Sequence, residues 1–276
     1  IVLSLLLAAS NNSRSAEVVK PYSHVSDYAP FFEIDPHWCA DGDELIPKIQ
    51  TNHDHLGRRV FNTHLRYDML PNSPSSCKAK FIYLLRSPLD ACVSFFHHLS
   101  HQAGGGYEHD FETFFREWVA GETPFGSWID HVTSYAEAFG NRSGDQRQFL
   151  LLTYEDMVKD LPSIVRELIE FLELNDKISD DVLVHELLPS FSFESMRDNK
   201  DRFQPKSVGW KNNFSFLRKG KIGDAGSLVS DQQSRVFADE LRKRKLLDYL
   251  RKQLEDANPA AFLKFDSELR LLETLR

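Results

Sequence analysis

The 276-residue sequence predicts an α/β protein organised around a parallel sheet, and three features carry that expectation. Short apolar runs recur at Arg58–His64, Lys80–Arg86 and Gln148–Tyr154. A helical pattern follows each run, and strands that alternate with helices pair in parallel. No repeat, low-complexity tract or long linker interrupts the alternation, so the chain reads as a single domain over 1–276, with 251–276 a helical C-terminal extension.

Taken in order, the chain opens on IVLSLLLAAS, with no initiator Met and no basic segment ahead of the apolar run. Such a run is too short to span a bilayer. Ile1–Leu7 therefore reads as the apolar face of a core helix whose beginning has been cut away, and a signal-peptide core is the alternative. Sequons at Asn11, Asn141 and Asn213 keep a secretory reading open. QTNHDHLGRR and SHQAGGGYEHD carry loop chemistry and read as surface segments. Phe81–Leu85 is nearly continuous in apolar residues, as a strand covered on both faces requires. Ser87 and Pro88 then supply an N-cap and a proline at the first helical position, and Cys92, Phe95, Phe96 and Leu99 make the inward stripe of the helix. After LLLTYEDM, the spacing of Ile164, Leu168, Phe171 and Leu172, with Pro162 near the start, marks another half-buried helix.

Composition narrows the partners. A net charge of −8 argues against broad attraction to nucleic acid or to an anionic membrane, so any anion site must be local. Three cysteines, Cys39, Cys77 and Cys92, are too few for a disulfide scaffold and lack metal-ligand spacing, which suits a reducing, cytoplasmic setting. His97, His98 and His101 share a helix face that could ligate zinc, with His53 and His55 as further candidates, but no glutamate or cysteine completes a hydrolytic zinc motif. The reading preferred for these histidines is solvent or the edge of a pocket, with His98 the candidate toward a substrate.

Two stretches concentrate positive charge where backbone N–H groups gather. Arg86 stands at the carboxyl end of a strand, beside a helix N-terminus that attracts anions. An ion pair with a nearby carboxylate is the competing reading. In FLRKGKIGDAG, Arg218 and Lys219 precede Gly220, with Gly223 three positions on, so cations and backbone donors can approach an anion together.

Together these stretches resemble the nucleotide-binding motifs of the cytosolic sulfotransferase family. The resemblance extends in family order through RRVFNTHLRYDMLP, KFIYLLRSPLDACVSFFHH, PFGSWIDHV, LLLTYEDM, SFESMRDN and FLRKGKIGD. It implies a three-layer, P-loop-NTPase-like fold with a central parallel sheet, here lacking the first strand and the phosphosulfate loop. It also implies transfer of a sulfuryl group from 3′-phosphoadenosine 5′-phosphosulfate to a hydroxyl or amine of a small, apolar acceptor, with no metal. His64 takes the place of the family's catalytic base. Arg86 and Ser94 match the pair that holds the 3′-phosphate, Arg218, Lys219 and Gly220 the loop on the same phosphate, and Tyr154, Ser192 and Phe193 positions around the adenosine. Phe31, in APFFE, matches a residue lining the acceptor pocket.

Departures from the family pattern matter as well. Asn62 stands where many relatives carry a lysine near the transferring group, and an amide donates a hydrogen bond without neutralising charge. The stretch AGSLVSDQQSRVF departs from the family's dimer patch, leaving oligomeric state open. A catalytically inactive nucleotide-binding homologue is therefore the main alternative. A P-loop kinase is the lesser one, since no G-x-x-x-x-G-K-[ST] stretch is present.

Overall fold

The computed structural model describes residues 1–10, 22–33, 45–70, 79–140, 148–205, 208–255 and 259–273. Cys39, Cys77, Asn11 and Asn141 lie outside them. In chain order the principal elements are α1 (Val2–Ser10), α2 (Leu45–Leu56), β1 (Phe81–Leu85), α3 (Pro88–Ser100), β2 (Gln102–Ala103), α4 (Phe111–Ala120), α5 (Trp128–Gly140) and β3 (Phe149–Thr153). They continue with α6 (Tyr154–Lys159), α7 (Leu161–Phe171), α8 (Asp180–Val182), α9 (Leu188–Ser190), α10 (Phe193–Asp198), β4 (Gly209–Trp210), α11 (Asp231–Lys243), α12 (Leu246–Leu254) and α13 (Pro259–Glu273). The chain forms two compact units, each of two segments: Ile1–His64 with Asp160–Gly220, and Leu65–Lys159 with Lys221–Arg276.

The second unit contains the parallel pair. β1 runs beside β3 in a register that sets Phe81 against Phe149 and Leu85 against Thr153. The rings of Phe81 and Phe149 stack at 5.0 Å, which pins that register at its first rung. β3 is buried along its whole length, as a run of apolar residues between two packed layers requires. β1 alternates instead: Tyr83 and Leu85 are buried, whereas Leu84, on the opposite face of the pleat, is 49% exposed. The expectation of two-sided burial, made for Phe81–Leu85, fails there, and it is β3 that is covered on both faces.

Helices α5, α12 and α13 supply much of this core, with Val132, Ala136, Leu250, Phe265 and Leu269 fully enclosed, and α4 and α11 add Phe114, Phe115 and Phe237. The Lys264 ammonium reaches back from α13 to donate to the Leu151 carbonyl at 2.6 Å, tying the helix to the buried strand. On α3, Cys92 is completely buried and Phe95, Phe96 and Leu99 pack against the same cluster, as their spacing implied. Burial pushes the Cys92 thiol well above its usual range, so this cysteine is a packing residue.

In the first unit α1 is a helix buried from Leu3 to Ala9, packed against α2, in keeping with the reading of Ile1–Leu7 as a core helix. α2 occupies much of the QTNHDHLGRR stretch, whose polar composition suggested a loop. The helix persists there because His53, 4% exposed, turns inward, its Nε2 bonded to the Tyr28 carbonyl at 2.7 Å, while Asn52 donates to the Asp27 carbonyl. His53 is thereby a structural histidine, and among the described residues no group of three His, Cys, Asp or Glu side chains could hold a metal ion. His24 is buried in the same manner, with Nε2 on the Gln204 carbonyl at 2.9 Å, and Arg202 lies over the Tyr22 ring at 4.4 Å. These contacts tie residues 22–24 to 202–204.

The expected strand at Arg58–His64 does not form. One parallel bridge, Phe31 with Asn62, takes its place, and a 3-10 turn at Tyr67–Met69 replaces the expected helix. Phe61 is 42% exposed, so this segment lacks the burial that would extend a ladder. α7 forms as read, with the Asp160 carboxylate capping it through the Ser163 N–H and Ile164, Val165, Leu168 and Ile169 buried.

Truncating a ring that α13 places at the centre of the second unit tests that packing. Phe265→Ala should lower stability by about 3–5 kcal/mol, read as a reduced denaturation midpoint.

Candidate active site

Register builds the first group of polar side chains. Because Leu85 pairs with Thr153, the next residues of the two parallel strands, Arg86 and Tyr154, emerge side by side, and the Arg86 guanidinium lies 4.4 Å from the Tyr154 ring centroid. One residue further, the Ser87 N–H donates to Glu155 Oε1 at 3.1 Å. Ser87 occupies the N-cap of α3 and Pro88 its first position, as expected, but the Ser87 hydroxyl makes no cap bond.

The carboxylate that could neutralise Arg86 is Asp90, four residues on. Its Oδ2 stands 4.0 Å from Arg86 Nη2, the outer limit of an ion pair. Asp90 is 2% exposed and is committed elsewhere: Oδ2 accepts from the Gly223 N–H and Oδ1 from the Ala225 N–H, both at 2.7 Å. Gly223 adopts φ +81°, the left-handed conformation that turns its N–H toward the carboxylate. Arg86 Nε is buried without a hydrogen-bond partner among the described residues. A buried guanidinium nitrogen left so is costly, and an anionic ligand would satisfy it. The expected carboxylate partner is therefore present at the limit of an ion pair and leaves Arg86 Nε unsatisfied among the described residues.

Ser94 and His98 sit half-buried on α3, one turn apart and beyond the corner, and His98 Nε2 lies 3.0 Å from Gln102 Nε2. None of the described hydrogen bonds joins Ser94 to Arg86.

The remaining candidates lie in the first unit, in two places. At one, Phe31, Asn62 and His64 come together: the Asn62 N–H donates to the Pro30 carbonyl at 3.0 Å, the Phe32 N–H donates to the Asn62 carbonyl at 2.8 Å, and the Phe31 and His64 rings stack at 5.0 Å. Glu33 joins them, with Oε1 accepting from the His64 backbone N–H at 2.7 Å and lying 2.8 Å from His64 Nδ1. At the other place, Ser192 caps α10 by accepting from the Ser195 N–H, which leaves Phe193 as the first helical residue. Gly220, at φ +62°, lies flat on that ring: a Cβ there would stand 2.4 Å from Phe193 Cδ2. Only glycine fits this approach. Arg218 is half-buried and Lys219 exposed.

Three carboxylates of these groups escape sequence reasoning. Asp90 stands four residues from Arg86, a spacing that suggests an ion pair but not two backbone acceptors. Glu33 lies in the APFFE stretch, yet its distance from His64 in sequence hides the contact. Glu155 follows Tyr154 and needs the strand register to find Ser87.

These features define a parallel α/β protein with polar groups gathered at the carboxyl ends of its strands, where such folds bind ligands. Residues 2–249 match the family model described as the sulfotransferase domain. The chain belongs to the sulfotransferase family. It is 31% identical over 195 residues to luciferin sulfotransferase of Photinus pyralis, covering 70% of this chain and 49% of that protein. It is 32% identical over 195 residues to human sulfotransferase 1C2, covering 68% and 62% respectively. The chain thus spans about half to just under two thirds of the length of these relatives. A mouse sulfotransferase complexed with PAP superposes with a TM-score of 0.57 at 26% identity over 70% of each chain. Retinol dehydratase in complex with androsterone and PAP shares the fold, with a TM-score of 0.62 at 20% identity, covering 88% of this chain and 76% of that one.

If Asp90 holds the turn after residue 222, weakening its acceptors should loosen that turn locally. In Asp90→Asn, hydrogen exchange at the Gly223 and Ala225 amides should accelerate by roughly ten- to a hundredfold, the equivalent of about 1.5–3 kcal/mol for bonds to a charged acceptor. Exchange unchanged at both amides contradicts the assignment.

Proposed function

We propose that the protein transfers a sulfuryl group from 3′-phosphoadenosine 5′-phosphosulfate to a hydroxyl or amine of a small, apolar acceptor. The observation that carries this reading is Arg86: a guanidinium at the end of β1, stacked on Tyr154, with a buried Nε that no described residue satisfies. Membership of the sulfotransferase family and the PAP complex of a similar fold supply the identity of the anion. In this reading Arg86 and Ser94 hold the 3′-phosphate, and Arg218, Lys219 and the Gly220 backbone contact the same group. Tyr154, Ser192 and Phe193 surround the adenosine. Phe31, Asn62 and His98 face the acceptor.

The reaction is an in-line displacement at sulfur. The acceptor oxygen or nitrogen forms the new bond to sulfur, the bond from sulfur to the bridging oxygen of the donor breaks, and the electron pair leaves with the 5′-phosphate. His64 accepts the proton lost by the acceptor, a role suited to an imidazole. The products are a sulfated acceptor and adenosine 3′,5′-bisphosphate. A second reading, an inactive nucleotide-binding homologue, draws on the exposed Asn62, which brings no positive charge to the position where relatives carry lysine. Among the described residues no helix is long and apolar enough to cross a membrane. A cytoplasmic setting belongs to the proposal, and so does the treatment of 1–276 as one sulfotransferase domain.

Ligand class is tested by thermal shift. Adenosine 3′,5′-bisphosphate should raise the melting temperature more than ADP or ATP with Mg²⁺, and Arg86→Ala should weaken its binding by about ten- to a hundredfold in calorimetry. Equal shifts for all three nucleotides point to a kinase instead.

Mechanism is tested at His64. His64→Ala should depress sulfuryl transfer from radiolabelled donor by roughly a hundredfold or more and leave bisphosphate affinity within about threefold, as the loss of a general base requires. Transfer that survives the substitution removes His64 from the mechanism, and bisphosphate binding without transfer in the wild-type protein selects the inactive homologue.

A further inference from the structure

We infer that Glu33 is the positioning residue of His64: its carboxylate holds the imidazole as the Nδ1–H tautomer, so that the lone pair which accepts the acceptor's proton sits on Nε2. The catalytic half of this inference rests on the sulfuryl-transfer reading. The tautomer half is independent of that reading and stands on the Glu33–His64 contacts.

Backbone pairing places the two side chains face to face. Phe31 and Asn62 form a parallel bridge, closed by the Asn62 N–H on the Pro30 carbonyl and the Phe32 N–H on the Asn62 carbonyl. Two positions beyond the bridge, where the chain turns after Phe31, Glu33 comes to stand against His64. There a single oxygen, Glu33 Oε1, meets both donors of His64, the backbone N–H at 2.7 Å and ring Nδ1 at 2.8 Å. The Phe31 ring lies parallel to the imidazole, 13° between planes, and limits its rotation.

The chemistry of the acceptor assigns the proton. Burial pushes the Glu33 carboxyl upward, but donation from the His64 N–H, the His64 ring and the Thr63 side chain outweighs it and holds the group below its usual range. Glu33 is therefore an anion at neutral pH and can only accept. Nδ1 must be the donor, and the neutral ring then carries its lone pair on Nε2. The same anion, 11% exposed, stabilises the imidazolium that forms once Nε2 has taken the proton. Glu33 transfers no proton itself and reaches the reaction only through His64.

Nitrogen NMR of the chain labelled with ¹⁵N-histidine tests both halves. His64 is assigned by the signals lost in His64→Ala. At alkaline pH, where the imidazole is neutral, wild-type His64 should show a protonated Nδ1 and a bare Nε2. In the near-isosteric Glu33→Gln the amide N–H₂ can donate to Nδ1, so the ring should shift toward the Nε2–H tautomer. Turnover should fall by about ten- to a thousandfold while KM for the donor changes less than about threefold, and bisphosphate binding should be retained. A wild-type ring protonated on Nε2, ring signals unmoved by Glu33→Gln, or a variant with wild-type turnover each overturns the inference. If the wild-type protein transfers no sulfuryl group, the reading of function fails, and the wild-type ring signals still decide the pairing.

Discussion

The register of two five-residue strands is the constraint on which the arginine corner depends. Parallel pairing of Phe81–Leu85 with Phe149–Thr153 carries both chains to the same edge of the sheet, so whatever follows them must share that edge. Arg86 and Tyr154 meet for this reason, and Ser87 and Glu155 after them. A slip of one residue would exchange the faces of every side chain on the strand and separate both pairs. The core beneath, with α13 pressed on β3 and the Phe81–Phe149 stack at the first rung, is what forbids the slip.

A buried carboxylate completes the corner without neutralising it. Removing Asp90 from water is costly, and two backbone N–H groups offset much of that cost. Their positions keep the carboxylate turned toward the 223–225 turn, with Arg86 at the edge of its reach. Local negative charge therefore organises backbone, and the guanidinium retains a polar atom to offer a ligand. The arrangement shows how the proposed anion site can be local in a chain of net charge −8.

Glu33 and Asp90 solve similar problems in the two units. Each is a poorly exposed carboxylate held by several hydrogen bonds, and each acts on a neighbour proposed to do the work. Around Glu33 the backbone scaffold is slight, a single parallel bridge, and the side chains add what the ladder lacks: a stacked Phe31 ring and an oxygen shared by two donors of one residue. Gly220 shows the same economy, since a left-handed backbone pressed on the Phe193 ring places the basic pair Arg218 and Lys219 without further secondary structure.

The sequence by itself determined the two strands that pair in parallel, the Ser87–Pro88 helix start, the α7 face and the family, and it singled out Arg86, His64 and Gly220 as candidates. All of these depend on periodicity, on residue chemistry within a few positions, or on motifs read in order. The Arg58–His64 run misled because its apolar residues signal a strand only if something covers them, and Phe61 stays exposed. QTNHDHLGRR misled because His53 and Asn52 find buried partners around residues 27–28, which composition does not reveal. Tertiary structure alone decided the partners: Asp90 on Gly223 and Ala225, Glu33 on His64, and Arg86 on Tyr154. Each joins residues far apart in the chain, and a hydrogen bond or ring contact depends on distance and direction, which a linear sequence does not carry until strand register and packing have set them.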